Sequence, residues 1–352
     1  MSDILAIILK ERGVLLADGA TGTNLFAVGL QTGDAPEFWN IEHPDRISAL
    51  HRAFVDAGSD IILTNSFGGT HYRLALHDGE QRVEELNSAA ARLARAEADK
   101  AERKVLVAGS MGPTGEILEP NGPVSIEQAQ AAFEEQAAAL AQGGVDILWI
   151  ETISSAEEVK AAALGAAKTG LPVVYTVSID TNGRTMMGMT PADTLAISTQ
   201  LETPISAIGT NCGVGASEVV AAISNFNTAA NTLGIQPVLV AKANCGIPEY
   251  IDGKIVYSGT PELMARYTSL CADAGARIIG GCCGTTPEHI ASMRKAIDGW
   301  TRGNTSPDAQ TIVEALGELS QGALAQMSGD LSIAGGSASG RGSRRSRRQR
   351  RD

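Results

Sequence analysis

Two adjacent cysteines framed by glycines, in Gly280-Gly281-Cys282-Cys283-Gly284-Thr285, are the residues of this chain best suited to chemistry. On a regular strand, neighbouring side chains point to opposite faces. Both sulfurs can reach one ion only if the backbone leaves strand geometry, and glycine makes such a turn easy. The pair follows the apolar run Ala276–Ile279. A third cysteine, Cys212 in Gly209-Thr210-Asn211-Cys212-Gly213, follows another such run at Ile205–Ile208. Three thiolates with a fourth position open fit a catalytic zinc site better than a closed structural one. One free cysteine alone would read as a buried small residue. A glycine-framed pair with a third cysteine at an equivalent strand end points instead to a metal, Zn2+. Cys245 also stands at a strand end, whereas Cys271 falls mid-helix and reads as core. The five histidines, His43, His51, His71, His77 and His289, show no metal-ligand spacing.

Composition bounds what such a site can belong to. The 352 residues are 43% hydrophobic with a mean hydropathy of +0.00, enough for one large core. Five cysteines, an odd number in a long chain, argue against a disulfide framework and for a reducing, cytoplasmic setting. No apolar run reaches transmembrane length, and Met1–Arg12 reads as a short amphipathic helix rather than a signal peptide, so no membrane is expected. The formal net charge is −12, yet Arg341–Asp352 carries seven Arg and one Asp, a net of +6, which leaves −18 elsewhere. A body that acidic is a poor partner for nucleic acid.

The cysteines need a scaffold, and the chain supplies alternating strand-like and helix-like stretches. Expected strands are Val14–Ala17, Asp60–Leu63, Val105–Ala108, Val145–Ile150, Pro172–Ile179, the run into Cys212, Pro237–Ala241 and the run into Cys282. Helical patterns separate them; one opens at Ser125 with Gln128 three residues on, a capping-box signature. Eight such units read as an α/β (β/α)8 TIM barrel, with a doubly wound open sheet as the alternative. The expected division is a barrel over 1–303, a helical extension over 304–330 and a disordered Gly/Ser/Arg tail over 331–352. Within the extension, Ala309–Met327 reads as one amphipathic helix. In such barrels the chemistry stands at the C-terminal strand ends. Here those ends carry Asp18, Asn65, Ser110, Glu151, Asn211, Cys212, Asn244, Cys282 and Cys283.

At these residues the chain resembles the zinc-dependent homocysteine S-methyltransferases. That family includes betaine–homocysteine methyltransferase and the homocysteine-binding module of cobalamin-dependent methionine synthase. The motifs that carry the resemblance are Asp18-Gly19-Ala20-Thr21-Gly22-Thr23, Thr64-Asn65-Ser66-Phe67, Gly109-Ser110-Met111-Gly112-Pro113, Trp149-Ile150-Glu151-Thr152 and the two cysteine segments. They occur in the family's order over about residues 14–300.

The resemblance implies methionine formation by methyl transfer to homocysteine. Cys212, Cys282 and Cys283 would hold Zn2+ and leave one position for the substrate sulfur. A free thiol has a pKa of roughly 8.5, and zinc coordination deprotonates it at neutral pH. Glu151, with Asp18 beside it, suits the substrate ammonium. The N–H groups of Ala20, Thr21 and Thr23 suit its carboxylate. Each assignment has a structural alternative. Asp18 can be a turn former, and Asn65, Asn211 and Asn244 can bond loop backbone. The donor is less determined. Trp39 lies roughly where the betaine-using branch carries a tryptophan that cages an onium, and it can equally be a packed loop aromatic. A small methylated onium such as betaine is the favoured donor. The alternative is a homocysteine-binding subunit of a split methionine synthase, with the methyl arriving on a separate corrinoid protein. The sequence leaves room for an oligomer.

Overall fold

The protein's computed structural model describes residues 3–180, 182–251, 254–301, 303 and 306–330. The Arg-rich tail over 331–352 lies outside the described residues.

Short, branched, apolar segments form the strands, as expected for strands buried on both faces. They are β1 (Leu15–Leu16), β2 (Ile61–Leu63), β3 (Leu106–Met111), β4 (Ile147–Ile153), β5 (Val173–Val177), β6 (Ala207–Cys212), β7 (Leu239–Ala243), β8 (Pro248–Ile251), β9 (Lys254–Tyr257) and β10 (Ala276–Gly281). Eight pair in parallel in the order β1-β10-β7-β6-β5-β4-β3-β2, and a parallel bridge between Ala17 and Ile61 joins β1 to β2. The result is the expected (β/α)8 barrel. Strands β8 and β9 form a separate antiparallel hairpin between β7 and the next helix, which the strand pattern does not anticipate.

Alternation along the strands splits the core in two. Leu15, Ile61, Leu63, Leu106, Ile147, Trp149, Val174, Val240 and Ile278 pack together inside the barrel. The other strand faces meet the helices in a larger outer layer that includes Phe133, Tyr175, Phe226 and Tyr267. Each fully buried large apolar side chain contributes about 1.5–3 kcal/mol.

Helix α1 (Ile4–Arg12) stops the N-terminal end of the barrel. Asp3 caps it by accepting from Leu5 N at 2.9 Å, and Leu5 and Ile8 join the inner cluster. Ser206 Oγ donates to Asp3 Oδ2 at 2.6 Å and ties the cap to the barrel. Ion pairs of Arg12 and Arg294 with the nearly buried Asp60 hold the same end. The helix Ile126–Gly143 starts with the expected capping box at Ser125 and Gln128.

The C-terminal extension departs from expectation. It forms two helices, Ala309–Leu316 and Gln321–Met327, rather than one. Gly317 at φ +104° ends the first in a backbone region open to glycine, and Ser320 caps the second by accepting from Ala323 N. The Glu218 carboxylate accepts from Ser320 N and so fixes the break to the helix Ala216–Leu233. Among the described residues no helix is long and apolar enough to cross a membrane.

Candidate functional site

The three cysteines converge at the C-terminal end of the barrel. Cys212 ends β6 at φ +64°, a left-handed conformation that turns its side chain out of strand alternation. Beyond β10, Cys282 N donates to Ala243 O at 2.7 Å and Thr285 N donates to Cys282 O at 3.1 Å. Cys283 N donates to Asn244 Oδ1 at 3.0 Å. This tight turn, with Gly284 at φ +80°, brings both neighbouring sulfurs to one side. The sulfurs of Cys212, Cys282 and Cys283 lie within 4.8 Å of one another. Tetrahedral zinc at about 2.3 Å from each sulfur would need them roughly 3.8 Å apart. The three sulfurs therefore fit the ion with a contraction of an ångström or less. Hydrogen bonds among the thiols lower some and raise others, and with burial each of the three is pushed up to about 12. Three thiolates this close need a cation between them, and soft sulfur donors suit zinc. Cys245 and Cys271 are buried outside this group.

Beneath the sulfurs lies a charged floor. Asp18 is 1% exposed; its Oδ2 accepts from Leu63 N at 2.7 Å, and its Oδ1 faces Lys242 Nζ at 3.1 Å. Lys242 also stands 5.4 Å from the centre of the Trp149 ring. Burial pulls the Lys242 ammonium down, but the carboxylates of Asp18 and Glu151 outweigh it and keep the lysine charged. Glu151 ends inside the barrel on β4, where Ser110 Oγ donates to its Oε1. Burial raises the Glu151 carboxyl above the usual range, against the pull of Lys242 and Ser110. Asn211 braces the wall. Its Oδ1 accepts from Thr152 N and Thr176 Oγ1, and its Nδ2 donates to Thr152 Oγ1.

Glu151, Lys242, Ser110 and the three cysteines share a cavity of about 450 Å3 with Ala20, Thr21, Thr23, Asn65, Phe26, Phe67 and Tyr257. Ala20 N donates to Thr285 O at 3.1 Å, so that N–H is already engaged. Thr23 Oγ1 accepts from Gly284 N at 3.1 Å. Asn65 is a brace: its Nδ2 donates to Pro36 O and Asn40 Oδ1. The bonds hold Glu37 in place, and its Oε1 accepts from Gly68 N at 2.6 Å. Asp18 reaches the cavity only through Lys242. Trp39 does not line it. Its buried ring packs with Leu25, Leu30 and Ile47, under the Arg46 guanidinium at 4.8 Å.

Lys242, Tyr257 and Glu37 are cavity residues that the sequence reading missed. Tyr257 belongs to β9; its ring packs on Gly284, where an added Cβ would fall 2.3 Å from Tyr257 Cγ. The signal for the hairpin was present, since Asp252-Gly253 stands between Tyr250-Ile251 and Lys254-Ile255-Val256.

Residues 15–297 match the family model described as homocysteine S-methyltransferase. The chain is 31% identical over 312 residues to the methionine synthase of Mycobacterium tuberculosis (strain ATCC 25618 / H37Rv). It is 30% identical over 312 residues to that of Mycobacterium leprae (strain TN). Each alignment covers 84% of this chain and 25% of the relative, so the chain spans about a quarter of their length. Among solved structures, it is similar to the homocysteine methyltransferase MmuM from Escherichia coli. The oxidized form matches with a TM-score of 0.69 and 27% identity over 83% of this chain and 98% of that one. The metallated form matches with a TM-score of 0.67 and 27% identity over 83% and 99%.

Proposed function

The chain belongs to the homocysteine S-methyltransferase family, and from that premise we propose that it methylates the sulfur of homocysteine to give methionine. Cys212, Cys282 and Cys283 would hold zinc. The observation that carries this reading is the convergence of their three sulfurs on the wall of a cavity that also exposes the buried Glu151 carboxyl. Bound there, zinc supplies a Lewis acid that keeps a coordinating thiol deprotonated at neutral pH.

The chain's own residues place the acceptor. Glu151, oriented by Ser110, takes the substrate ammonium. Asp18 does not share that task directly, because Leu63 N and Lys242 occupy its two oxygens. The substrate sulfur attacks the methyl carbon, and an S–C bond forms as the bond from that carbon to the donor's onium centre breaks. Its electron pair stays on the former onium atom of the leaving group, which thereby loses its positive charge.

A small methylated onium such as betaine is the favoured donor. The rings of Phe26, Phe67 and Tyr257 line the cavity, and aromatic rings attract such a cation. Trp39, packed away from the cavity, is not part of that reading. The second reading, a methylated corrinoid carried by another protein, is supported by the similarity to the two methionine synthases. Purified protein incubated with zinc, homocysteine and either betaine or a methylcorrinoid protein tests both. Zinc-dependent methionine with one donor selects between them, and no methionine with any donor overturns the assignment.

A further inference from the structure

We propose that Lys242 receives the carboxylate of the amino-acid substrate, so that Lys242 and Glu151 together select a free α-amino acid. The inference rests on the homocysteine reading and adds the group that recognises the acid end. Lys242 points into the barrel from β7, in register with Asn211 on β6 and Gly280 on β10. Gly280 leaves room for its stem: an added Cβ there would lie 3.1 Å from Lys242 Cγ and 2.9 Å from Ala17 Cβ.

The lysine is 2% exposed, yet it lines the cavity. An ammonium has three N–H donors. One serves Asp18 Oδ1, and among the described residues no other protein acceptor bonds Nζ. Unused donors on a buried cation are costly to leave unpaired. A carboxylate in the cavity would take them with charge assistance. Glu151, on the same floor, has one oxygen bonded by Ser110 and is free to accept through the other. The floor thus offers a cation and a carboxyl side by side, complementary to the carboxylate and ammonium of one α-amino acid.

The competing receiver is the backbone at Ala20–Thr23. There Ala20 N is engaged with Thr285 O, no described bond occupies the N–H groups of Thr21 and Thr23, and the helix that starts there, Gly22–Phe26, has only five residues. Asp18 then has a defined part: it keeps Lys242 charged and aims it, without touching the substrate.

Calorimetric titration of zinc-loaded protein with homocysteine and with 3-aminopropane-1-thiol, which lacks the carboxylate, tests the assignment. The native chain should prefer homocysteine by at least about tenfold. Lys242→Met should bring that ratio close to one while changing the affinity for the aminothiol by less than about threefold. Removing the lysine leaves Asp18 buried without its counter-ion, so K242M/D18N is measured alongside as the variant with no orphaned charge. Lys242→Arg should restore part of the preference. A role confined to holding Asp18 would leave the homocysteine-to-aminothiol ratio unmoved in Lys242→Met and in the double variant, and that result overturns the proposal. If the native chain binds homocysteine and the ratio is unmoved, only the Lys242 assignment fails. If it binds neither ligand, the homocysteine reading fails and takes this inference with it.

Discussion

Ser110 Oγ donates to Glu151 Oε1 at 2.5 Å, linking the end of β3 to the end of β4 inside the barrel. The bond fixes one oxygen of a carboxyl that burial, the larger effect, pushes towards its neutral form. Glu151→Gln keeps the shape and removes the charge. It should weaken homocysteine binding by about 1.5–3 kcal/mol, the range for hydrogen bonds to charged groups, with zinc content unchanged. Calorimetry showing an unaltered homocysteine affinity would remove Glu151 from the site.

Cys212→Ser replaces a soft thiolate by a hydroxyl that stays protonated. The variant should fold, lose zinc on mild chelation and lose methyl transfer with every donor. Cys271→Ser, buried in a helix away from the cluster, is the control and should keep its zinc at a modest cost in stability. Metal analysis after dialysis against a chelator reads both. Full zinc in Cys212→Ser would mean that the ion, if bound, is held by other groups.

Gly284 stands at φ +80° with the Tyr257 ring against it. Gly284→Ala should cost about 1–3 kcal/mol in backbone strain and displace the β8–β9 hairpin. Faster amide exchange over 254–257 in the variant is the expected signature. Unchanged exchange there would show that the hairpin does not depend on this contact.

His51 is buried on the helix Pro44–Asp56, and its Nε2 finds no hydrogen-bond partner among the described residues. Burial lowers its pKa to about 4, against a smaller opposing effect of Glu97. The unfolded chain takes up this proton near pH 6.5 and the folded chain does not, so stability falls as pH drops from about 6.5 towards 4. His51→Gln should lose that part of the acid sensitivity, about 2 kcal/mol between pH 7 and pH 4.5. Urea unfolding at the two pH values measures it, and equal pH dependence in the two proteins would refute it.

Sequence carried the barrel because the strand and helix periods alternate eight times, and it carried the cysteine cluster because glycines mark where a strand must turn. It did not carry Lys242. Strands of a parallel barrel are buried on both faces, so period-2 alternation does not say which face of Leu239–Ala243 looks inward. A lysine at a strand end then reads as solvent-facing. Trp39 failed in the opposite direction: its position along the chain matched a cage residue, but the short helix it opens, Trp39–Glu42, puts the ring under Arg46. The single C-terminal helix was overread because the apolar spacing runs past Gly317, whose positive φ breaks it.

Leu5 and Ile8 of α1 stopper the barrel at its far end. Whatever the reaction consumes and releases must therefore share one doorway. Glu151 and Lys242 lie deep, while Phe26 and Phe67 stand at the threshold, 46% and 39% exposed. On the proposed reaction, turnover would then have a queue: the amino acid would be first in, the methylated product last out, and a donor that arrived early would block the way for both.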